Sequence, residues 1–513
     1  MRKLSEATGI PKSSVARHCK TLTNRADVPA AEFWEQEAGH AWVRQLVIAA
    51  LLVFGIKAGV GAERLSEFFH RIRLDRHVGC SVTALRGLRG ELQELIVTYG
   101  AEQERQIQQA GQPVEICAGV DETFFDQVIL VLMDLESGYI VLEEAAEDRT
   151  YATWHERAKR ALGKVGLGLR YVVSDRAKAL VKLAVAGFGC ASIPDSFHVL
   201  RDLAKAMSLG LALKLTRVDE KLTQAQQRLR ALEAKGKDRH VQQRLVTHLQ
   251  TQAATLRADQ VQAQRLLRQA AQAVHPFVLA DSGRQSSAQV ETALQQTVTA
   301  LNTLRSQHTG RDNTKAVTKV TRQIAPLASL IDLWWQGVEQ TLESSAPDAD
   351  TQRWLRESLL PTVYWQRQVE KTTTPVLKDA YQQAFKQAEQ RLRQHPLTAT
   401  LSARVLQRWE QWAKDQVALF QRASSPVEGR NGYLSQLNHC TRGLPTPRLK
   451  VLTVIHNVDL KRANGTTAAE RLFGQSFPDL FEWTMARMGE LPLPRKARTV
   501  SEPKSLFLQS VPS

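Results

Sequence analysis

Cysteine is scarce in this chain. The five thiols in 513 residues, Cys19, Cys80, Cys117, Cys190 and Cys440, lie far apart and form no CxxC pair. That spacing argues against a zinc module or a disulfide framework and suits a reducing cytosol. Long apolar runs are lacking as well. The longest, Leu46–Ile56 (LVIAALLVFGI), is too short to span a bilayer and reads as a buried core helix, and no signal segment is visible. Acid is outnumbered by base, with Asp+Glu at 52 against Lys+Arg at 68 and a net charge of +16. Such a surplus favours polyanionic partners, nucleic acid before acidic membrane surfaces. The expected location is the cytoplasm, at the nucleoid. A chain of 513 residues is too long for one core, so three or four domains are expected.

The first domain is read at residues 1–30. In KLSEATGIPKSSVARHCKTL, Leu4 and Ala7 face inward on a short helix, Gly9 makes the turn and Ile10 plugs the core. Pro11 can open a second helix, where its missing N–H costs nothing. Val15 and Cys19 then share the inner face, leaving Lys12, Ser13, Ser14, Arg17 and His18 outward. This is the pattern of a helix-turn-helix, whose second helix enters the major groove; the basic side chains suit base edges and the serines suit phosphates. Residues 31–110 are helical and could hold a second such module. Ala62–Ile72 is amphipathic through Leu65, Phe68, Phe69 and Ile72. In Ser81–Ile96, Thr83, Arg86 and Arg89 could face a groove, although Gly87 and Gly90 weaken that helix.

Residues 115–216 alternate strand and helix. Ala118–Phe125 (AGVDETFF), Gln127–Asp134 and Tyr139–Glu143 read as three strands joined by tight turns, with Asp121 at the first turn. A helix over Glu147–Leu162 returns as a fourth strand, Leu169–Ser174, ending at Asp175. A helix over Ala177–Ala186, a short strand at Ala191–Pro194 and a helix opening at Asp195-Ser196-Phe197-His198 follow. Three antiparallel strands followed by alternating helix and strand is the ribonuclease-H-like order. Residues 217–421 are almost wholly helical. Val218–Val274, broken at Lys235-Gly236-Lys237, reads as an antiparallel hairpin with coiled-coil character or as ordinary packed helices. Trp334, Trp335, Trp354, Trp365, Trp409 and Trp412 read as core before base-stacking residues. Residues 422–475 return to the α/β part, and 476–513 form a tail with Arg495, Lys496 and Arg498, loosely ordered from about Pro492.

Asp121, Asp175 and Glu428 are the candidate catalytic and metal-binding residues. Cleaving a phosphodiester requires an activated water and charge relief at the leaving oxygen. Two Mg²⁺ ions about 4 Å apart supply both, and carboxylates are the oxygen ligands magnesium prefers; Mn²⁺ would substitute. Asp121 would bridge the ions, and Asp175 and Glu428 would each hold one. Each acid also has a plainer reading. Asp121 could merely end a strand, with Glu122 the ligand instead. Asp175 could cap a helix. Glu428 could close a capping box with Ser425 and Pro426. Asp195 and His198 are an alternative pair of ligands at another strand end.

VDETFF, VVSDRAKAL, IPDSFHVLRDL, SSPVEGRNGYL and HNVDLKRANGTTAAERLFG resemble bacterial insertion-sequence transposases of the DDE type. The resemblance implies a helix-turn-helix region followed by an α/β ribonuclease-H-like catalytic domain, here interrupted by a large all-α insertion. It implies that Asp121, Asp175 and Glu428 bind the two metals, and that Arg430 and Asn431 touch DNA. It further implies double-stranded DNA partners, namely terminal repeats and target, a homo-oligomer of two or more copies, and cleavage followed by strand transfer. The helical insertion between Asp175 and Glu428 is the main departure, since many family members place the Glu a few dozen residues after the second Asp. Three other functions suit parts of the chain. They are a non-catalytic helix-turn-helix regulator with a decayed ribonuclease-H-like domain, a ribonuclease-H-like nuclease, and a coiled-coil scaffold.

Overall fold

The computed structural model describes residues 2–26, 33, 36–111, 113–309, 314–441 and 443–494. Arg495, Lys496 and Arg498 lie outside them. The chain divides into two compact units, the described parts of 1–106 with 433–513, and 107–432. The architecture is mixed α/β, with long helices dominating and one five-stranded sheet.

In the first unit, α1 (Arg2–Thr8) and α2 (Lys12–Ala26) are joined at Gly9, whose φ of +66° suits a residue without Cβ. Among the described residues the expected inner face is only partly covered, with Val15 buried and Cys19 half-buried. Leu4 and Ile10 are 52% and 40% exposed, Ala7 is exposed too, and Val15 is the one apolar residue of α1 and its turn-and-α2 start that is buried. Lys12, Ser13, Arg17 and His18 do face outward, while Ser14 is half-buried and accepts from Arg17.

Next comes α3 (Glu37–Ala50), which continues through wider π turns to Lys57. The helix therefore outruns the 11-residue apolar stretch inside it. Its 21 residues, Glu37–Lys57, are long and apolar enough to cross a membrane by length and composition, with half of that window buried. Val47, Ile48 and Leu51 are fully buried, whereas Trp42 and Phe54 are about half exposed. Helix α4 (Ala62–Arg71) buries Leu65 and Phe69 but leaves Phe68 and Ile72 exposed. Helix α5 (Val82–Ala110) runs unbroken through Gly87 and Gly90, and Arg86 is engaged with Glu63.

The sheet belongs to the second unit. Strands β1 (Val114–Phe124), β2 (Val128–Asp134) and β3 (Ile140–Ala146) form an antiparallel meander. Helix α6 (Tyr151–Lys164) crosses one face, with Trp154 fully buried beneath it, and returns the chain to β4 (Leu167–Ser174), parallel to β1. Helix α7 (Lys178–Lys182, then π turns to Gly187) leads to β5 (Ala191–Pro194), parallel to β4. The order across the sheet is β3-β2-β1-β4-β5. Strand β2 is continuously apolar up to Asp134 and buried along nearly its whole length, as a strand covered on both faces is.

Helix α8 (Ser196–Ala234) starts directly after β5, and α9 (His240–Ala273) folds back along it. Gln242 donates to the Ala225 carbonyl and Arg257 pairs with Asp219, so later residues meet earlier ones in an antiparallel hairpin. The hairpin does not stand alone. Helix α10 (Ser287–Thr309) packs on α9, α11 (Thr314–Ser345) packs on α10, and α11 also packs back on α8, closing a four-helix ring. Helices α12 (Ala349–Trp354, then π turns to Leu359), α13 (Leu360–Lys371), α14 (Pro375–Gln394), α15 (Pro396–Thr400) and α16 (Ala403–Ala418) complete the insertion.

Its core is aromatic. Trp334, Trp335, Trp354, Trp365 and Trp409 are buried and Trp412 is half-buried, donating to Thr341, which bears out their reading as core. Phe277 and Tyr364 meet these rings edge-on or tilted. At the centre His275 is held by the hydroxyls of Tyr364 (2.6 Å) and Tyr381 (3.0 Å). Burial, assisted by the Arg422 guanidinium, pushes the His275 imidazole well below its ordinary range, so it is neutral.

Helix α17 (Ser425–Thr441) contains the boundary between the two units, so residues 433–475 fall with the first unit and not with the sheet. Beyond it lie α18 (Thr446–Val458), α19 (Ala468–Phe473) and α20 (Leu480–Arg487). The GTTAAERLFG stretch is a short helix with its start and stop written out. Thr467 and Glu470 form a capping box, and Gly474 closes the helix at a φ of +64°. The stretch to Pro494 is anchored. Tyr99 donates to the Pro478 carbonyl at 2.6 Å and the Gly79 amide donates to Pro492 at 2.6 Å.

Candidate active site

Asp121 sits inside β1 and not at a turn. The antiparallel ladder with β2 continues past it to Phe124, with Asp121 opposite Val131. The parallel ladder with β4 stops earlier, at Gly119 opposite Val173. Continuing that register places Asp121 opposite Asp175, the first residue after β4. The two acids therefore stand where β4 ends and β1 runs on, the kind of position at a strand's carboxyl end where open sheets present functional groups.

Strand alternation then decides which acids can meet. Glu122 points to the opposite face from Asp121. There it accepts from the Trp154 indole (3.1 Å) and pairs with Arg149 (3.1 Å), so it supports α6 and is separated from the other acids. On the Asp121 face, Gly119 lets α17 come close. A Cβ there would lie 2.9 Å from Val427 Cγ2 and 2.5 Å from Leu135 Cδ2. Two positions along the strand, the Asn431 amide of α17 donates to Asp121 Oδ2 at 2.9 Å.

Arg430 is 3% exposed and makes a fork to Glu143 of β3, Nε to Oε1 at 2.7 Å and Nη2 to Oε2 at 2.6 Å. The expected DNA contact by Arg430 is replaced by this buried pair, because Glu143 lies across β2 on the same face as Asp121. Asn431 likewise serves a carboxylate of the chain. Helix α17 is thus pinned to the sheet at three strands' width, and Glu428 rides on its first turn.

Glu428 does not close a capping box with Ser425. Its Oε1 lies 3.3 Å from His198 Nε2 in the first turn of α8. The residue before the helix, Ser424, donates its amide (2.8 Å) and its hydroxyl to Asp195 Oδ2. Asp195 Oδ1 meanwhile caps α8, accepting from Phe197 N (2.7 Å) and His198 N (3.3 Å). Asp195 is 1% exposed and takes four donors, an arrangement that leaves it a structural clasp with no oxygen directed to an ion. Asp175 is not the helix N-cap, a position Ala177 holds. Its Oδ1 accepts from the Ala177 amide at 2.8 Å in a tight turn, with Arg176 in the left-handed region at φ +63°.

Asp121 feels the charge of both other acids. Burial raises the Asp121 carboxyl above its ordinary value; the charges of Asp175 and Glu428 raise it further, while the Glu122 amide and His198 lower it. The three carboxylates share a field without sharing a coordination sphere: among the described residues no three His, Cys, Asp or Glu side chains are close enough to hold an ion as they stand. The donor chemistry nonetheless fits a hard cation. All three groups are oxygen ligands, the charges of the other two both bear on Asp121, and the buried Oδ1 of Asn431 beside Asp121 has no hydrogen-bond partner.

The sequence marks the three acids and His198 as candidates and gives no prominence to Gly119, Glu143 and Ser424. Gly119 carried a cue, since a glycine inside an apolar strand marks a close approach. Glu143 and Ser424 carried none, because their partners are distant in sequence.

Residues 355–500 match the model of a family of unknown function, DUF6399. The matched range includes Glu428, Arg430 and Asn431 and leaves out Asp121, Asp175, Asp195 and His198. Comparison with curated proteins and with solved structures finds no match.

Proposed function

We propose that the chain is a DNA transposase of the DDE type, in which Asp121, Asp175 and Glu428 hold divalent metal on a ribonuclease-H-like core. The observation that carries this reading is placement: the β1–β4 register sets Asp121 opposite Asp175, and the Asn431–Asp121 bond brings α17, with Glu428 on its first turn, onto the same strand. The strand order β3-β2-β1-β4-β5, with a three-stranded meander followed by two parallel strands, supports the core assignment. The net charge of +16 supports a polyanionic substrate.

Magnesium bound there would activate water and neutralise charge at the scissile phosphate. The chain's own part is positional. Glu143 and Arg430 lock the angle of α17, Asn431 orients Asp121, and the sheet sets Asp121 against Asp175. The reaction class is hydrolysis of a phosphodiester at the end of a DNA segment, followed by attack of the freed 3′-hydroxyl on a second duplex. DNA contacts are assigned to Lys12, Ser13, Ser14, Arg17 and His18 of α2, and a homo-oligomer brings two DNA ends together.

The test is cleavage of labelled DNA carrying the ends of the segment that encodes the chain, with Mg²⁺ or Mn²⁺ against EDTA. Metal-dependent nicking at those ends, followed by joining, is expected, and Asp121→Ala, Asp175→Ala and Glu428→Ala should each abolish it while retaining DNA binding. Nicking without joining would make the chain a nuclease. Binding without nicking by the wild type would sink the catalytic reading and leave a regulator.

A further inference from the structure

Asp195 and His198 were candidates for the metal site, yet their geometry suits another task. Both oxygens of Asp195 are committed: Oδ1 to the amides that open α8, Oδ2 to the amide and hydroxyl of Ser424 just before α17. A second strut runs beside it, where the Ser196 amide donates to the Arg422 carbonyl at 2.8 Å. One buried carboxylate thus sets the starts of two helices, and each start carries one member of a facing pair. His198 Nε2 lies 3.3 Å from Glu428 Oε1, and His198 Nδ1 lies 3.3 Å from Asp195 Oδ2 without hydrogen-bond alignment. The ring is steadied edge-on by Phe197, 6.0 Å between centroids.

We propose that Asp195 and His198 are positioning residues that aim Glu428, and that they set the metal affinity of the site without ligating the metal. The inference rests on the reading of Asp121, Asp175 and Glu428 as metal ligands. Imidazole is a poor ligand for magnesium but a good partner for a ligating carboxylate. With His198 Nε2 facing Oε1 of Glu428 at 3.3 Å, Oε2 is the oxygen turned away from the ring and left to a cation. Outer partners of this kind change metal affinity about 10–100-fold when removed.

Mn²⁺ alone is the probe, titrated into the full chain with free Mn²⁺ followed by electron paramagnetic resonance. Wild type should bind Mn²⁺ at a site that Asp121→Asn removes. His198→Leu should weaken that binding about 10-fold or more, and His198→Gln, which keeps a donor toward Glu428, should restore it to within a few-fold. Ser424→Ala, which removes one clasp bond and leaves His198 in place, should weaken it by a smaller factor. A folded His198→Leu variant that binds Mn²⁺ like wild type overturns the proposal, as does equal loss in the Leu and Gln variants. Wild type without Mn²⁺ binding that depends on Asp121 overturns the metal reading itself. In that case a metal-free urea series on His198→Leu, Glu428→Gln and the double variant, if additive, removes the His198–Glu428 contact as well.

Discussion

Gly119 offers the sharpest test of how the site is assembled. An alanine there places a methyl 2.9 Å from Val427 Cγ2 and 2.5 Å from Leu135 Cδ2, both below van der Waals contact. Two effects oppose each other. Replacing glycine by alanine in a compatible backbone stabilises by about 0.4–1 kcal/mol through the unfolded chain. Overpacking a filled core costs about 1–3 kcal/mol. Val427 is fully buried and Leu135 is 3% exposed, so neither can swing into solvent, and the second effect should win. Gly119→Ala is expected to lose about 1–2 kcal/mol in urea unfolding. Val427→Ala alone should lose roughly 2 kcal/mol, two buried carbons plus part of a cavity. Because the new methyl occupies part of the space that Val427 vacates, the double variant should be more stable than the sum predicts by about 1 kcal/mol. On the proposed function, metal-dependent cleavage should follow the same partial rescue, since trimming Val427 relieves the clash with α17 while that with Leu135 remains. Additivity within about 0.5 kcal/mol would refute the claim that Gly119 exists to admit α17.

Arg430→Met removes both bonds of the fork to buried Glu143, so it should cost about 3–5 kcal/mol, and Glu143→Leu/Arg430→Met should recover much of it; calorimetry decides. Asp121 has a native pKa raised mainly by burial, so its ionised form opposes folding and its contribution is lost as pH rises through that value. Metal-free Asp121→Asn should therefore melt higher than wild type at neutral pH, the gap should shrink on acidification, and Mn²⁺ should raise the wild-type melting temperature alone. His275 titrates in the opposite sense. Its folded pKa is depressed, so its contribution is complete above the ordinary histidine range and declines as pH falls below about 6.5, by at most about 1.4 kcal/mol per pH unit for one proton. His275→Gln should flatten that acid limb in urea unfolding at successive pH values.

Local periodicity made much of the architecture readable. The three-stranded meander, the crossover to β4, the short β5 and the hairpin break at Lys235-Gly236-Lys237 all follow from apolar runs and turn residues. Asp121 was misplaced at a turn because nothing in VDETFF reveals that β2 pairs to Phe124 while β4 stops short. The N-terminal helix pair shows the reverse failure. Leu4, Ala7, Ile10 and Val15 have helix-turn-helix spacing, yet only Val15 of these is buried, since spacing describes a face and not what covers it. Arg430 reads as a surface base two residues after a candidate catalytic acid. Its burial depends on Glu143, a partner brought opposite by two strand pairings and invisible to any local pattern. The three acids were legible by chemistry and order; the contacts that aim them were not.

The clasp at Asp195 also bears on the long excursion between the second and third acids. Asp195 and Ser424 are 229 residues apart in sequence, yet share a hydrogen bond of 2.8 Å. The chain leaves and re-enters the sheet layer at this clasp, and the insertion also meets the sheet where α11 packs on β5 and Arg367 pairs with Glu136. Whatever lies between meets the same end-to-end distance, and closure entropy grows only logarithmically with loop length. The outlying α8–α9 hairpin tip is therefore free to vary in length while Glu428 keeps its address. Shortening it, with residues 195–198 and 422–424 retained, leaves the clasp's geometry defined from both sides.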